Sequence, residues 1–263
     1  MTAPTEPGLD RVHRHLEASG AGALSRFKAA YFERRLRSRW RAHRVADADA
    51  YADVLDRDPD ERRRLVSALA IGVTSFFRDP PVWTRLGALV GAEATDRAFR
   101  AWSAGCASGE EAWSVAMLLD SLALAGGTWS VLGTDLDARS LTIAAAGEYQ
   151  ERSAAAVRVV LDPVPGEFAA GRYRVPTALR ARVSFARADL VAPPSSSEFD
   201  LVLCRNVLMY FTPHTQEQIL TGLLSATRIG GLLVLGKAEL AALPLLPRLE
   251  IVDRRERIYR RVA

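Results

Sequence analysis

Apolar side chains in the first part of the chain recur at the three- and four-residue spacing of a helix. Pro59 separates two such runs and is expected to start the second helix, because proline fits the first turn. The repeating positions are Tyr51, Val54, Leu55, Leu65, Ala68 and Leu69. Residues 26–44 contain neither proline nor glycine and predict a further helix. The pattern predicts a small all-helical N-terminal domain.

From residue 99 onward, strand-like and helix-like runs alternate. The predicted strands are FRAWSAG, WSVLGTDLD, ARVSFARADL, FDLVLCRN and LLVLGK, and LEIVDRRERIYRRV alternates like a final edge hairpin. The predicted helices are EAWSVAMLLDSLALAGG, ARSLTIAAAG and HTQEQILTGLLSATRIGG, the last ended by Gly230 and Gly231. Such alternation predicts an α/β fold with a parallel, doubly wound sheet. Residues 148–180 interrupt it, and RYRV there predicts a short strand in an inserted flap.

The two prolines of TSFFRDPPVW, Pro80 and Pro81, are expected to stop regular structure between these two regions. The division predicts a helical domain over residues 1–73 and a sheet domain over residues 74–263, with the flap at about 148–180.

The composition is that of a folded protein, with 49% apolar and 25% charged residues among 263. The apolar stretch near the C-terminus is broken by Arg228, Pro244 and Pro247, so it predicts no membrane span. The first residues lack the apolar core of a secretory signal. Two cysteines cannot build a disulfide framework, and four histidines show no metal-ligand spacing. We expect a cytoplasmic monomer that is not membrane-inserted and holds no metal.

Basic charge is concentrated on the helix predicted over residues 26–44. Only Lys28 and Lys237 among the 35 basic residues are lysines, so the rest are arginines, which bind carboxylates and phosphates with paired hydrogen bonds. Four of them are spaced three, four and three residues apart and share one stripe: Arg34, Arg37, Arg41 and Arg44. One interpretation of the stripe is a solvated helix face. The other is a docking surface for an acidic partner, which would relieve the repulsion between like charges in one row.

The turn after the first predicted strand, GCASGEE, carries glycines at positions 105 and 109. This spacing is neither the dinucleotide fingerprint nor a phosphate loop, which argues against NAD and ATP. Asp135 ends the second strand, where an acid can accept both ribose hydroxyls of an adenosine. The combination favours an adenosine ligand without phosphates, S-adenosylmethionine. The alternative is that the glycines are ordinary turn residues and that Asp135 caps a helix.

A polar amide, Asn206, ends the strand FDLVLCRN, and Tyr210 follows it closely. An amide beside a tyrosine at the mouth of a central strand is typical of a reaction site. The alternative is a helix N-terminus with a buried aromatic ring. The Asn-Pro-Pro or Asp-Pro-Pro signature of adenine methylases does not occur here.

Five segments in this order, TSFFRDP, WSAGCASGEEAWS, GTDLD, FDLVLCRNVLMYF and GLLVLGKAEL, resemble the CheR family of chemotaxis receptor methyltransferases. The helix FKAAYFERRLRSRWR is similar to one in the family's N-terminal domain, so the resemblance covers residues from about 10 to 262. It implies a Rossmann-like class I methyltransferase sheet with an N-terminal receptor-docking domain. It also implies transfer of a methyl group from S-adenosylmethionine to glutamates on receptor cytoplasmic helices, leaving S-adenosylhomocysteine.

The resemblance also implies roles for individual residues. Arg78 and Tyr210 are similar to the pair next to the transferred methyl group, and Glu110 or its neighbour Glu111 is a cofactor ligand. The residues implied to contact the cofactor are Thr74, Arg78, Glu110, Asp135, Asp189, Leu190, Asn206 and Val207. No redox role is implied for Cys106 or Cys204.

Three departures from the family pattern leave other functions open. Gly72 stands where the family usually has asparagine, GKAE (residues 236–239) replaces Gly-His-Ser-Glu, and the flap lacks a glycine insertion seen in members that dock on a receptor tail. The first two suggest a cofactor-binding regulatory module as an alternative. The isoelectric point near 9.4 suggests a nucleic-acid methyltransferase, although the acidic run at residues 47–61 argues against an extended phosphate track.

Overall fold

The computed structural model describes residues 8–19, 26–69, 74–92, 97–122, 128–161, 165–192, 198–241 and 243–263. Gly72 and the glycines expected to close one helix, Gly126 and Gly127, lie outside these ranges. The chain divides into two compact units. The first comprises the described residues up to 69 together with Met209–Gln216, so it is not continuous in sequence. The second comprises the remaining described residues.

The N-terminal part of the first unit consists of four helices. They are α1 (Leu9–Ala18), α2 (Ala29–His43), α3 (Ala48–Arg57) and α4 (Pro59–Leu69). Asp47 caps α3 by accepting a hydrogen bond from the backbone N–H of Ala50 at 2.9 Å. As predicted, Pro59 starts α4. The apolar stripes meet in a core that includes Val12, Leu16, Leu36, Leu55 and Leu65.

A fully buried carboxylate, Glu61, joins three of these helices. Its oxygens accept hydrogen bonds from Arg39 Nε at 2.8 Å and Tyr51 Oη at 2.6 Å, and His43 Nε2 lies 2.9 Å away. Desolvation raises the pKa of Glu61, but the hydrogen bonds outweigh it and lower that pKa to about 2. The polar cluster therefore stabilises the packing of α2, α3 and α4.

The second unit alternates helices and strands. In chain order its elements are α5 (Pro80–Ala92), β1 (Phe99–Ala104), α6 (Glu110–Ser121), β2 (Trp129–Asp135), α7 (Ala138–Ala146), β3 (Glu148–Gln150), α8 (Val157–Val160), β4 (Glu167–Ala169), β5 (Arg172–Arg174), α9 (Thr177–Arg180), β6 (Val183–Arg187), β7 (Phe199–Cys204), α10 (Pro213–Ala226), β8 (Thr227–Leu235), β9 (Leu249–Asp253) and β10 (Ile258–Arg261). The first four residues of α10 belong to the first unit.

Seven strands form the main sheet in the order β6-β2-β1-β7-β8-β10-β9. The pairs among β6, β2, β1, β7 and β8 are parallel, and the terminal hairpin adds two antiparallel strands. The predicted doubly wound α/β fold is thereby confirmed. All six residues of β7 are buried, as expected of a central strand covered on both faces.

The predicted flap is a separate antiparallel sheet of three strands in the order β3-β5-β4. Tyr173 of β5 is fully buried at its centre, and its ring lies 4.9 Å from that of Phe168. Phe76 packs edge-on against Tyr149 and Tyr173 at ring distances of 4.9 and 5.6 Å. These ring contacts therefore pack the flap against the loop that precedes α5.

Two sequence expectations are wrong. Pro80 and Pro81 begin helix α5 instead of stopping regular structure, because the first turn of a helix needs no proline N–H. The predicted last helix ends at Ala226, before Gly230 and Gly231, which belong to strand β8. The pairing of β7 with β8 is irregular at this point: Phe199 pairs with Thr227, but Leu201 pairs with Leu232. The two glycines lie in the bulge that results.

Among the helices described here, none combines the length and the apolar character that crossing a bilayer requires.

We predict that Glu61→Gln destabilises the protein by about 3–5 kcal/mol near neutral pH, because it removes the buried carboxylate that pairs with the half-buried guanidinium of Arg39. The pKa of Glu61 is lowered from 4.5 to about 2, so its stabilisation is complete above pH 4.5 and is lost as the pH falls toward 2. Urea unfolding at several pH values measures the free energy of unfolding of both forms, and their difference should narrow below pH 4.5. Glu33→Gln, an exposed carboxylate on α2, is the control and should cost less than about 1 kcal/mol. A difference that stays constant with pH contradicts the assignment.

Candidate functional site

The candidate site lies at the carboxyl edge of the parallel strands of the second unit. Strand β1 pairs with β2 on one side and with β7 on the other, and the chain continues outward from each of these neighbours. Ligands of doubly wound sheets bind at such a switch point. The segments that leave β1, β2 and β7 here begin with Gly105, Leu136 and Arg205.

The glycine turn after β1 approaches two predicted cofactor residues. Gly105 has a left-handed backbone (φ 78°), and its N–H and that of Cys106 both donate to the Thr134 carbonyl, at 2.8 and 2.9 Å. A Cβ at position 105 would lie 3.6 Å from both methyl groups of Val207 and 3.8 Å from Leu190 Cδ1. The backbone of Gly105 thus faces a small apolar surface formed by Leu190 and Val207.

Asp135, at the end of β2, is almost completely buried, with 8% of its surface exposed. Its Oδ2 accepts a hydrogen bond from Ala107 N at 2.8 Å and its Oδ1 accepts one from Asp137 N at 2.9 Å. Burial raises the pKa of Asp135, and these backbone donors oppose the rise. A carboxylate oxygen can accept more than one hydrogen bond, so both oxygens keep capacity for hydroxyl donors.

The alternative role of Asp135 as a helix cap is wrong. Asp137 is the N-cap of α7, and its carboxylate accepts hydrogen bonds from Arg139 N at 3.2 Å and Ser140 N at 3.3 Å. Asp135 therefore makes no contribution to capping this helix.

Contacts distinguish the two adjacent glutamates that start α6. Glu111 accepts a hydrogen bond from Ser103 Oγ at 2.9 Å and lies 3.4 Å from the guanidinium of Arg205. Glu110 accepts a hydrogen bond from Ser108 Oγ at 2.7 Å, and burial raises its pKa. Since Glu111 is held by a buried cation, the geometry favours Glu110 as the residue available to a ligand.

The loop after β7 carries an unsatisfied acceptor. Asn206 has a left-handed backbone (φ 62°), and its buried Oδ1 has no hydrogen-bond partner among the described residues. Leaving such an atom unpaired costs about 1–3 kcal/mol, so it is suited to accept a hydrogen bond from a bound molecule. Together with the apolar surface that faces Gly105 and the carboxylate of Asp135, the Asn206 amide fits an adenosine-type ligand.

Glu239 organises this loop and was not singled out from the sequence. Its carboxylate accepts hydrogen bonds from Asn206 N at 3.0 Å, Leu208 N at 2.7 Å and Gly236 N at 2.8 Å. A Cβ at position 236 would lie 2.6 Å from Asn206 N, so the close approach requires glycine. The GKAE segment therefore retains the two residues that hold the loop, and Lys237 instead lies 3.6 Å from Glu256.

Arg78 lies between two non-glycine residues with left-handed backbones, Phe77 (φ 46°) and Asp79 (φ 59°). Such conformations are rare for bulky residues and concentrate at functional sites. Thr74 is the first described residue of this segment and is half-buried, as is Arg78. In the loop after β6, Asp189 accepts a hydrogen bond from Val191 N at 3.0 Å within its own turn.

Tyr210 belongs to the first unit, in the segment Met209–Gln216. Its ring centroid lies 4.5 Å from that of Tyr31 on α2, and its carbonyl accepts a hydrogen bond from Lys28 N at 2.9 Å. The next residue, Phe211, stacks on Phe27 at 4.9 Å. Helix α2 and the residues before it therefore fix the position of Tyr210 within this unit.

Three of the four predicted stripe residues, Arg34, Arg37 and Arg41, are exposed along α2. The assignment of Arg44 to the same helical row is wrong. It is the C-cap of α2 and has a left-handed backbone (φ 57°), so its exposed side chain does not follow the helical repeat. Within the row, Arg37 lies 3.6 Å from Glu33.

The part of the chain that the structure describes contains no group of three or more histidine, cysteine or acidic side chains arranged to hold a metal ion. Cys106 and Cys204 are both buried and unpaired, and burial raises the pKa of each thiol well above its usual value. Neither thiol is therefore prone to react.

Two family models match the chain. Residues 13–70 match the all-alpha domain of CheR methyltransferase, and residues 72–247 match its SAM binding domain.

Three relatives illustrate the similarity. An uncharacterized 104.1 kDa protein of Rhodobacter capsulatus is 34% identical over 259 residues, which cover 95% of this chain but 27% of that protein. Chemotaxis protein methyltransferase 2 of Pseudomonas aeruginosa is 30% identical over 247 residues, covering 89% of this chain and 87% of that one. A chemotaxis protein methyltransferase of Listeria monocytogenes is 32% identical over 177 residues, covering 66% and 67% of the two chains.

We predict that Asp135→Ala weakens the binding of S-adenosylhomocysteine by about 1–3 kcal/mol, because a charged acceptor of hydroxyl hydrogen bonds is lost. Isothermal titration calorimetry measures the affinity. Asp137→Ala is the control: it removes an equally buried carboxylate from the same loop and costs about 1 kcal/mol of stability through the lost cap. Equal losses of affinity in the two variants would mean that the loop, and not the Asp135 carboxylate, is responsible.

Proposed function

Because the chain belongs to the CheR family of S-adenosylmethionine-dependent methyltransferases, we propose that it methylates glutamate side chains on the cytoplasmic helices of chemotaxis receptors. The products are a glutamate methyl ester and S-adenosylhomocysteine. We propose the cytoplasm as its location because the proposed acceptors lie there.

The observation that carries this proposal is the convergence of three features at the switch point of the sheet. An adenosine without phosphates suits the unsatisfied Oδ1 of Asn206, the apolar surface that faces Gly105 and the carboxylate of Asp135. The residues that we propose to hold the cofactor are Thr74, Arg78, Glu110, Asp135, Asp189, Leu190, Asn206 and Val207. Asp135 would accept from the ribose hydroxyls, and Asp189, Leu190, Asn206 and Val207 would flank the adenine.

Methyl transfer to a carboxylate requires alignment of the two reactants more than it requires acid or base catalysis. When bound, the cofactor supplies a methyl group on a positively charged sulfur. A nucleophile attacks the carbon of that methyl group directly, and the sulfur leaves as a neutral thioether. The acceptor glutamate has a pKa of about 4.3 and is already ionised at neutral pH, so no general base is needed. The protein's residues must hold the carboxylate in line with the methyl group, at about 3–3.5 Å.

Arg78 and Tyr210 are proposed to orient the acceptor. The guanidinium of Arg78 can pair with a carboxylate, and the hydroxyl of Tyr210 can donate a hydrogen bond to it. The carboxylate loses its negative charge as the ester forms. A very tight ion pair would therefore stabilise the starting state more than the transition state and would slow the reaction.

The exposed arginines of α2 are proposed to dock the receptor. A methylation region that presents many glutamates is acidic, and Arg34, Arg37 and Arg41 form a row of opposite charge on one helix face. Arg44, the C-cap of α2, is not part of this row. Complementary charge of this kind raises the rate of encounter and sets the register of the partner.

Methylation of receptor cytoplasmic fragments tests the proposed function. The protein is incubated with tritiated S-adenosylmethionine and each fragment, and base-labile label is counted before mass spectrometry locates the modified glutamates. Cofactor binding without transfer would support the regulatory module instead. Salt-dependent binding to DNA, with transfer to it, would support a nucleic-acid methyltransferase.

We predict that Arg78→Ala and Tyr210→Phe each lower the rate of methyl transfer more than they lower cofactor affinity. The physical reason is that both groups are proposed to act on the acceptor in the transition state. Single-turnover kinetics gives the rate and calorimetry gives the affinity. Arg85→Ala and Tyr259→Phe change the same residue types outside the site and should leave the rate unchanged. Full turnover in both site variants would refute these roles.

We also predict that reversing Arg37 and Arg41 to glutamate raises the receptor KM and flattens its dependence on salt. The docking contribution is electrostatic and is screened over about 8 Å at physiological ionic strength. Reversal of Arg57 and Arg63, which are exposed on α3 and α4, changes the net charge equally and is the control. Cofactor affinity should be the same in all forms. If both double reversals shift KM equally, net charge alone would explain the effect, and the α2 row would not be a docking surface.

A further inference from the structure

A buried arginine lies next to the candidate site and has no role in the proposed chemistry. Arg205 directly follows β7, and only 1% of its side chain is exposed. Its Nη2 donates to Asp79 Oδ2 at 2.9 Å and to the carbonyl oxygen of Arg78 at 3.0 Å. Its Nη1 lies 3.4 Å from Glu111 Oε2. The guanidinium therefore joins the loop that carries Arg78 to the start of α6.

The loop that carries Arg78 needs such support. Phe77 and Asp79, on either side of Arg78, have left-handed backbones, each of which costs about 1–3 kcal/mol and persists only where surrounding contacts impose it. The carbonyl of Arg78 accepts a second hydrogen bond, from Trp83 Nε1 at 2.9 Å. On the other side, Phe77 N donates to Ser114 Oγ at 2.9 Å.

Two acids, Asp79 and Glu111, lie beside the buried positive charge of Arg205. Burial raises the pKa of Glu111, and the positive charge of Arg205 opposes that rise. The guanidinium carbon also lies 5.7 Å from the ring centroid of Trp83, within the range of a cation–π contact. An arginine without these partners would not remain buried, so the cluster specifies one position for the side chain.

We propose that Arg205 is a positioning residue that fixes the backbone of Arg78 and thereby aims the Arg78 side chain at the acceptor carboxylate. This inference rests on the role proposed above for Arg78. Arginine is needed because its planar guanidinium reaches a carbonyl and two carboxylates at once, whereas the single ammonium of lysine cannot match that geometry. Arg205 acts through Arg78 and does not itself touch the substrate.

The other end of the same strand supplies a matched control. Asp200 of β7 is also buried, and it pairs with Arg97 and with Arg228, whose Nε lies 2.5 Å from Oδ1. This cluster lies at the amino end of the strand, away from the candidate site, and Arg97 remains beside Asp200 when Arg228 is changed. Arg228→Lys weakens an ion pair of a buried carboxylate on the same strand and should leave the reaction unaffected.

The test compares Arg205→Lys with Arg228→Lys in the intact chain, using a methyl-accepting receptor fragment. We expect Arg205→Lys to lower kcat by about 10- to 100-fold, as misplacement of a catalytic group by about 1 Å can do. The receptor KM and the Kd for S-adenosylhomocysteine should change much less. Arg228→Lys should keep the wild-type kcat. An unchanged kcat in a folded Arg205→Lys protein overturns the proposal.

A double-mutant cycle separates positioning from a general structural effect. If Arg205 acts through Arg78, Arg205→Lys should cause no further loss of kcat in an Arg78→Ala background. Losses that multiply in the double variant overturn the proposal. If Arg205→Lys fails to fold, Asp79→Asn is used instead, because it weakens the ion pair between Arg205 and Asp79. Its loss of kcat should likewise vanish in the Arg78→Ala background.

The same measurements distinguish the two levels of inference. Full activity of Arg78→Ala would remove the proposed role of Arg78 and, with it, the basis of this proposal. A slow Arg78→Ala protein beside a fully active Arg205→Lys protein would refute only the positioning role.

Discussion

A charge withdrawn from water persists in a folded chain only where opposite charges and hydrogen-bond donors surround it. Among the described residues, such clusters surround Glu61 in the first unit, and Asp200 and Arg205 near the two ends of β7 in the second. In each, arginine supplies the cation, and its charge is not lost at any physiological pH. The loops of the candidate site depend on the cluster around Arg205, because it joins residues that are 94 and 126 positions apart in sequence.

Carboxylates of similar burial perform different tasks around the site. Asp137 caps a helix, Glu111 neutralises a buried cation and Glu239 gathers three backbone N–H groups. Asp135 accepts hydrogen bonds from two backbone N–H groups and Glu110 accepts one from a hydroxyl, which leaves their oxygens capacity for a ligand. Residue type alone therefore does not assign a role here, and the neighbouring donors decide it.

The sequence was most informative where local pattern determines structure. The alternation of strands and helices, the flap and the start of α4 at Pro59 all follow from spacing within short segments. The failed expectation at Pro80 and Pro81 concerned a local rule, because proline fits the first turn of a helix, but other failures depended on distant partners. The end of α10 is set by the pairing of Thr227 with Phe199 on another strand. Glu239 could not be assigned because the N–H groups of Asn206 and Leu208 are more than 30 residues away.

The discontinuity of the first unit has a consequence for synthesis of the chain. When α4 leaves the ribosome, Phe27 and Tyr31 still lack the rings of Phe211 and Tyr210, which are translated much later. At about 5–20 residues per second, the delay is on the order of ten seconds. During that time the nascent helical unit presents an uncovered aromatic face. Completion of this unit therefore waits for translation of nearly all of the parallel strands, and a nascent chain stalled within β7 would leave the aromatic face open to chaperones or to aggregation.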